Sequence, residues 1–226
     1  MILSKRLQTI YKMCPKGVIA DIGADHGKLI ISLVQNDIAS FGIAVENKKG
    51  PFERLVGAIK EAGLEDKIQA IYGDGIEKIP SVVDTLIIAG MGGQNIVSIL
   101  KRNQNKLENV QTIIVDPHNA IPFVREQISL MGYSISDEEM VYEDGIYYEI
   151  IKFNKSKHAF YSDVDLEFGP VLRSQKSLTF KQKYQSRLNE ITRLIKEYKL
   201  PQQRIDDLLA EETKIRNILW TPENYF

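Results

Sequence analysis

The chain has 226 residues, 43% of them hydrophobic and 26% charged, enough to bury a core in one full domain plus a smaller appendage. Its longest apolar runs, such as Thr85-Leu86-Ile87-Ile88-Ala89, fall short of the roughly 20 residues that cross a bilayer, and Met1-Ile2-Leu3-Ser4-Lys5-Arg6 opens without a long apolar stretch and cleavage site, so a cytoplasmic protein with no membrane partner is expected. Cys14 is the single cysteine, which excludes an internal disulfide and a zinc cluster, and no bound metal is expected.

From Lys16 to Phe153 short β-branched runs alternate with amphipathic stretches, the pattern of parallel strands joined by crossover helices. Strands are expected at Val18–Asp21, Phe41–Glu46, Ile68–Tyr72, Thr85–Ala89 and Thr112–Asp116, and helices around Lys28–Gln35, Pro51–Glu61, Gln94–Lys101 and Pro122–Met131. The first strand closes on Asp21-Ile22-Gly23-Ala24-Asp25-His26-Gly27. Its G-x-x-x-G spacing lacks the full G-x-G-x-x-G pyrophosphate fingerprint, and by itself also fits a plain tight turn.

Glu46 ends the second strand with Asn47 behind it, placed to accept from ribose hydroxyls. Gly73-Asp74-Gly75 follows the third, where a carboxylate can accept from the exocyclic amine of an adenine. These acidic positions at successive strand ends fit an adenosine without a phosphate, and so S-adenosylmethionine rather than NAD; either could also be a surface or turn residue. Ala89-Gly90-Met91-Gly92-Gly93 after the fourth strand removes side chains where an acceptor meets a methyl donor. The fifth strand ends in Asp116-Pro117-His118-Asn119, with Asp116 and His118 as candidate substrate contacts.

Ser134–Val141 and Ile146–Phe153 are joined by Glu143-Asp144-Gly145, a strong hairpin signal. Five strands with helices and a closing antiparallel hairpin describe a Rossmann-like class I methyltransferase fold, α/β in class, over residues 1–154. Beyond it, Tyr184, Leu188, Ile191, Ile195 and Tyr198 repeat four and three apart, a coiled-coil seam. Leu200-Pro201 ends that helix, and the next carries Ile205, Leu208, Ile215 and Leu219, so residues 155–226 are expected to form a C-terminal helical hairpin entered at Phe168-Gly169-Pro170. Residues 1–150 carry a net charge of −5 and residues 151–226 one of +4. A polyanion partner would meet the outward Arg173, Lys176, Lys181, Lys183, Arg187, Arg193, Lys196 and Lys199, with Lys5, Arg6 and Lys12, though a solvated helix face has the same charge pattern.

Taken together, Asp21-Ile22-Gly23-Ala24-Asp25-His26, Lys49-Gly50-Pro51-Phe52, Gly73-Asp74-Gly75, Ile88-Ala89-Gly90-Met91-Gly92-Gly93 and Asp144-Gly145-Ile146-Tyr147-Tyr148-Glu149-Ile150-Ile151, in this order and before a helical hairpin, resemble the bacterial tRNA (adenine-22, N1)-methyltransferases over nearly the whole chain. The resemblance implies S-adenosylmethionine as donor, tRNA as partner and N1 of an adenine in the D-arm region as target. It implies a cofactor site of Asp21, Gly23, Asp25, Gly27, Glu46, Asn47, Gly73, Asp74, Gly75, Ala89, Gly90, Met91 and Gly92. Asp25 is the expected catalytic carboxylate, and His26 either positions the base or caps the next helix. Substrate contacts are expected from Asp116, His118, Arg125 and the basic residues Arg173, Lys176, Lys181, Lys183, Arg187 and Arg193. Two stretches depart from the family pattern: Gly27-Lys28-Leu29-Ile30 carries no aromatic residue, and Asp116-Pro117-His118 stands where Q-P-N is frequent. A monomer is the working expectation. The rival readings are a class I methyltransferase of a small molecule or protein whose hairpin serves to dimerise, an RNA-binding module with a vestigial pocket, and an NAD oxidoreductase.

Overall fold

Branched aliphatic residues concentrate in five short runs, and those runs form the parallel core of a seven-stranded sheet. The computed structural model describes residues 2–156 and 160–220. Strands β1 (Gly17–Ile22), β2 (Ala39–Glu46), β3 (Ile68–Tyr72), β4 (Thr85–Met91) and β5 (Thr112–Pro117) are parallel, and β6 (Tyr133–Glu143) and β7 (Ile146–Lys155) form the antiparallel hairpin turned by Asp144-Gly145. The strand order is 3-2-1-4-5-7-6, with β7 antiparallel to β5. The order reverses beside β1, so a crevice opens at the C-terminal ends of β1 and β4, where such sheets bind ligands.

Helices cover both faces. On one side α1 (Lys5–Met13), α2 (Lys28–Gln35) and α3 (Lys49–Glu61) pack with Ile19, Ala44, Ile87 and Ile114; on the other, α4 (Gly93–Arg102) and α5 (Ile121–Leu130) pack with Ile22, Val45, Leu86 and Val115. The expected strands and helices all form, with ends shifted by one or two residues.

Helix α1 was not among the expected elements. Ser4 caps it by accepting from the Leu7 amide, and Glu143, from the hairpin turn, accepts from the backbone amides of Lys5 (2.6 Å) and Arg6 (3.4 Å). Leu3 and Ile10 are buried beneath it, and the spacing of Leu3, Leu7 and Ile10 after a serine cap was its signal in the sequence.

Among its described residues the C-terminal part holds four helices. Two short ones precede the expected hairpin: α6 (Asp163–Phe168), opened by a Ser162–Asp165 capping box, and α7 (Pro170–Gln175), with Pro170 in its first turn. The hairpin itself is α8 (Leu178–Glu197) and α9 (Gln202–Trp220). Phe180, Tyr184, Leu188 and Ile191 pack against Leu208, Ile215 and Ile218 over Met140 and Phe168, so the seam closes within the chain. Ile195, packed on the edge of this cluster, and Ile205 are only half-buried, and Tyr198 is 56% exposed at the C-cap of α8.

A buried ion network joins this unit to the sheet. Arg125 of α5 is fully buried and donates through Nε to Glu138 (2.8 Å) and through Nη2 to Glu149 (2.6 Å); Nη1 donates to the Leu166 carbonyl (2.9 Å). Lys183 of α8 reaches Glu149 at 2.5 Å, and Glu138 also accepts from the amides of Val171 and Leu172. Gly169, at φ +80°, lies so close to Glu138 and Arg125 that any side chain there would collide with both. Burial alone would raise Glu149, but Arg125 and Lys183 outweigh it and hold this carboxyl below its usual range; Glu138 has only one cation, so its burial wins and its carboxyl is raised.

Candidate functional site

Two cavities meet over the first strand. The larger, about 360 Å³, lies at the C-terminal ends of β1 to β4 and is lined by Gly23, Asp25, Glu46, Asn47, Gly73, Asp74, Gly75, Ala89, Gly90 and Met91 from the expected cofactor set. Lys48, Pro51, Asn95 and Ile99 line it too, with Ile22 and Val45 behind them. Of these, Pro51 belongs to a stretch that the family resemblance singles out, whereas Asn95 and Ile99 lie in a helical pattern with no chemical signature. The smaller cavity, about 210 Å³, shares Gly23, Asp25 and Ala89 with the first and adds Arg6, Asp21, His26 and Lys28.

The glycines shape the larger cleft. Gly23 has φ +79°, and a Cβ on it would overlap the Met91 methyl; Gly75 has φ +70°, and a Cβ there would press on Ile99. Backbone amides of Gly23 and Ala24 donate to the Val45 carbonyl, which ties the turn to the end of β2. Gly27 and Gly92, expected beside the cofactor, instead lie outside the cleft lining and stand at the N-caps of α2 and α4. Gly27 occupies the cap of α2 without a side-chain hydrogen bond, so His26 does not cap that helix.

Each acidic group has a distinct environment. Glu46 is nearly buried, and its Oε1 accepts from the amides of Asn47 and Lys48, both at 2.9 Å, leaving Oε2 to face a ligand. Asp74 is held between Asn47 Nδ2 (3.3 Å) and Arg102 Nη2 (3.1 Å). Asp21 sits opposite Ala44 and Ile87 in the sheet, and burial pushes its carboxyl up to about 7. Cys14, on the same face, is pushed up to about 12 chiefly by burial and secondarily by Asp21, which makes it an inert thiol. Asp25 is different: its side chain is 60% exposed, at φ +46°, with His26 Nε2 at 3.6 Å and Arg54 Nη2 at 3.9 Å.

An adenosine-sized ligand without phosphates fits this cleft. The volume lies within the range of small-molecule sites, and two glycines leave the backbone open. The carboxylates of Glu46 and Asp74 line it, a charge that would repel a pyrophosphate. Among the described residues no cluster of three or more His, Cys, Asp or Glu could hold a metal ion; His158 lies outside the described residues.

Asp116 is fully buried at the end of β5, paired with Arg6 Nη1 at 2.9 Å. His118 is exposed next to it, 6.4 Å from the Tyr148 ring. Several expected substrate contacts are corrected. Arg125 cannot touch a substrate from its place in the buried network, and Lys176 is buried at the end of α7, where it terminates the helix in a left-handed conformation. Arg173 pairs with Asp165 (2.7 Å), Lys183 with Glu149, and Arg187 with both Glu190 and Glu211 (2.7 Å). Their charge is used within the protein. Lys181, Arg193, Lys196 and Lys199 are exposed on α8 and just beyond it, as expected. A cavity of about 580 Å³ between α5 and the hairpin is lined by Glu149, Glu167, Glu190 and Glu211 against Lys183 and Arg187, an acid excess that does not suit a polyanion.

The sequence model of the tRNA (adenine(22)-N(1))-methyltransferase family matches residues 19–218. The Bacillus subtilis (strain 168) tRNA (adenine(22)-N(1))-methyltransferase is 36% identical over 193 residues, 82% of this chain and 81% of its own. A Streptococcus pneumoniae protein crystallised with S-adenosyl-L-methionine superposes with TM-score 0.88 at 29% identity, covering 96% of this chain and 100% of its own. TrmK from M. capricolum, solved with S-adenosyl-homocysteine, gives 0.84 at 26% identity over 96% of this chain and 97% of its own.

Proposed function

The chain belongs to the tRNA (adenine(22)-N(1))-methyltransferase family, and on that footing we propose that it methylates N1 of adenine 22 in tRNA with S-adenosylmethionine as donor. The observation that carries this reading is the carboxylate series Asp21, Glu46 and Asp74 at three successive strand ends, around glycine turns that lack a pyrophosphate fingerprint.

When bound, S-adenosylmethionine supplies an electrophilic methyl group on a positive sulfonium. Glu46 would accept from the ribose hydroxyls through its remaining oxygen, and Asp74, oriented by Asn47 and Arg102, from the adenine amine. Asp21 stands in the adjoining cavity as the partner for the donor's ammonium, with Asp25 at the junction of the two cavities and His26 in the smaller one. N1 of adenine already carries a lone pair, so the protein's work is alignment and management of charge rather than base strength. The adenine must be extruded from its pairing partner before N1 is accessible.

Purchase on surrounding phosphates would offset that cost, and the exposed Lys181, Arg193, Lys196, Lys199, Lys5 and Lys12 are suited to it. Residues 1–154 would then be the donor-binding domain and 155–226 the tRNA-binding one. No described helix is long and apolar enough to cross a membrane, and the cytoplasm is the compartment in which tRNA would be met. The rival with a dimerising hairpin loses its premise, because the apolar seam is buried inside the chain; the protein is proposed to work as a single chain.

The test incubates purified protein with labelled S-adenosylmethionine and transcribed tRNA and maps the product by digestion and mass spectrometry. N1-methyladenosine at position 22 is expected. Its absence, with donor binding shown separately, overturns the reading.

A further inference from the structure

Asp116 is buried more completely than pairing with Arg6 requires. Its Oδ2 accepts from Arg6 Nη1, while Oδ1 is buried with no hydrogen-bond partner, the one such side-chain atom among the described residues. An unpaired buried carboxylate oxygen is costly and calls for an explanation. The groups around it indicate one. Gly90 of β4, at φ +74°, faces Arg6 Nη1 and His118 Nε2, which a Cβ there would touch at 3.4 and 3.7 Å, and it lines the donor cleft. Arg6 lines the adjoining cavity and lies 5.1 Å over the Tyr148 ring. Asp116 therefore sits behind the donor cleft, paired with an arginine that lies between it and an aromatic ring, and two residues from an exposed imidazole.

We propose that Asp116 Oδ1 accepts a hydrogen bond from the exocyclic N6 amine of the adenine being methylated, and so selects adenine as the base. This deepens the methyltransferase reading and rests on it. For the base to reach Oδ1 the side chains around it, His118 among them, must move aside, the kind of side-chain change that commonly accompanies binding. As the lone pair of N1 forms the new carbon–nitrogen bond, the carbon–sulfur pair returns to sulfur, and the positive charge passes to the N1–N6 amidine of the adenine. Both N6 hydrogens stay on the base. The Asp116 hydrogen bond strengthens as that charge grows, so it stabilises the transition state more than the bound substrate. Guanine presents a carbonyl oxygen at the same edge, and the carboxylate repels it.

Arg6 makes the proposal testable with an isosteric variant. In Asp116→Asn the amide oxygen stays on the Arg6 donor, which places the amide NH₂ where Oδ1 was. That group opposes the adenine amine and welcomes the guanine carbonyl. Dissociation constants are measured for wild type and D116N with transcripts carrying adenine or guanine at position 22, together with single-turnover methylation of the adenine transcript. The preference for adenine is expected to fall at least tenfold in D116N, with donor affinity unchanged. A preference that stays constant while both affinities shift together would mean that Asp116 only positions Arg6, and would overturn the proposal. Should D116N melt below the assay temperature, D116A, with neither oxygen, is expected to abolish the preference, and a preference retained there overturns the proposal equally. Failure of the wild type to methylate N1 of adenine 22 overturns the methyltransferase reading instead.

Discussion

Asp21→Asn separates what this buried carboxyl costs the fold from what it gives the site. Burial between Ala44 and Ile87 raises Asp21 from 3.8 to about 7. In the unfolded chain it titrates near its ordinary value, so between these two pH values the folded protein holds a proton that the unfolded chain has released. Stability therefore falls as pH rises through that window, at up to about 1.4 kcal/mol per pH unit, and is about 4 kcal/mol lower above it than below it. Asparagine does not titrate. Urea denaturation of both proteins across the window should show D21N gaining about 4 kcal/mol relative to wild type from the acid to the alkaline end. A pH-independent difference would refute the protonated, desolvated Asp21. The same carboxyl, if it meets the donor's ammonium, must ionise to do so. Wild-type affinity for S-adenosylmethionine should then tighten roughly fifteenfold between about pH 5.5 and pH 7, while D21N stays flat and weak.

Three other predictions address the remaining parts. Arg125→Met leaves Glu138 and Glu149 buried without their shared cation and should cost about 3–5 kcal/mol in chemical denaturation; adding E138Q and E149Q should recover much of it, and a single variant within about 0.5 kcal/mol of wild type would show that the network is not structural. Reversing Lys181, Arg193 and Lys196 to Glu should weaken tRNA binding and lower the slope of log affinity against log salt by about 0.7–0.9 for each phosphate that is no longer neutralised, whereas unchanged affinity would place the RNA elsewhere. Gly23→Ala forces a side chain into φ +79° and onto Met91, so donor binding measured by calorimetry should be lost with little change in the packing of the sheet; normal donor affinity would contradict the assigned cleft.

The hairpin, the parallel core and the helical seam were legible because each rests on a local pattern. Alternating or continuous β-branched runs mark the strands, Asp144-Gly145 marks the turn, and four-and-three spacing marks the helices. Glu46 and Asp74 were legible for a related reason, since strand ends at a chain reversal fix where such side chains stand. Helix α1 was spelled by Ser4, Leu3, Leu7 and Ile10 but competes, in so short a stretch, with a reading of Lys5, Arg6 and Lys12 as loose basic residues. Helices α6 and α7 are six residues each, too short for periodicity to separate them from a loop.

Partners in space were not legible at all. The sequence by itself determined the strand and helix inventory, the closing hairpin and the glycine turns that line the cleft, because backbone preference and hydrophobic period act between near neighbours. Only the tertiary structure decided which charges are free. Arg125 and Glu138 are 13 positions apart, Lys183 and Glu149 34, and Arg6 and Asp116 110, and each pairing removes a cation that its sequence context presents as exposed. Desolvation works in the same way: Asp21 and Asp25 stand four residues apart at one strand end and carry the same carboxyl, but the sheet buries the first and the turn leaves the second in water.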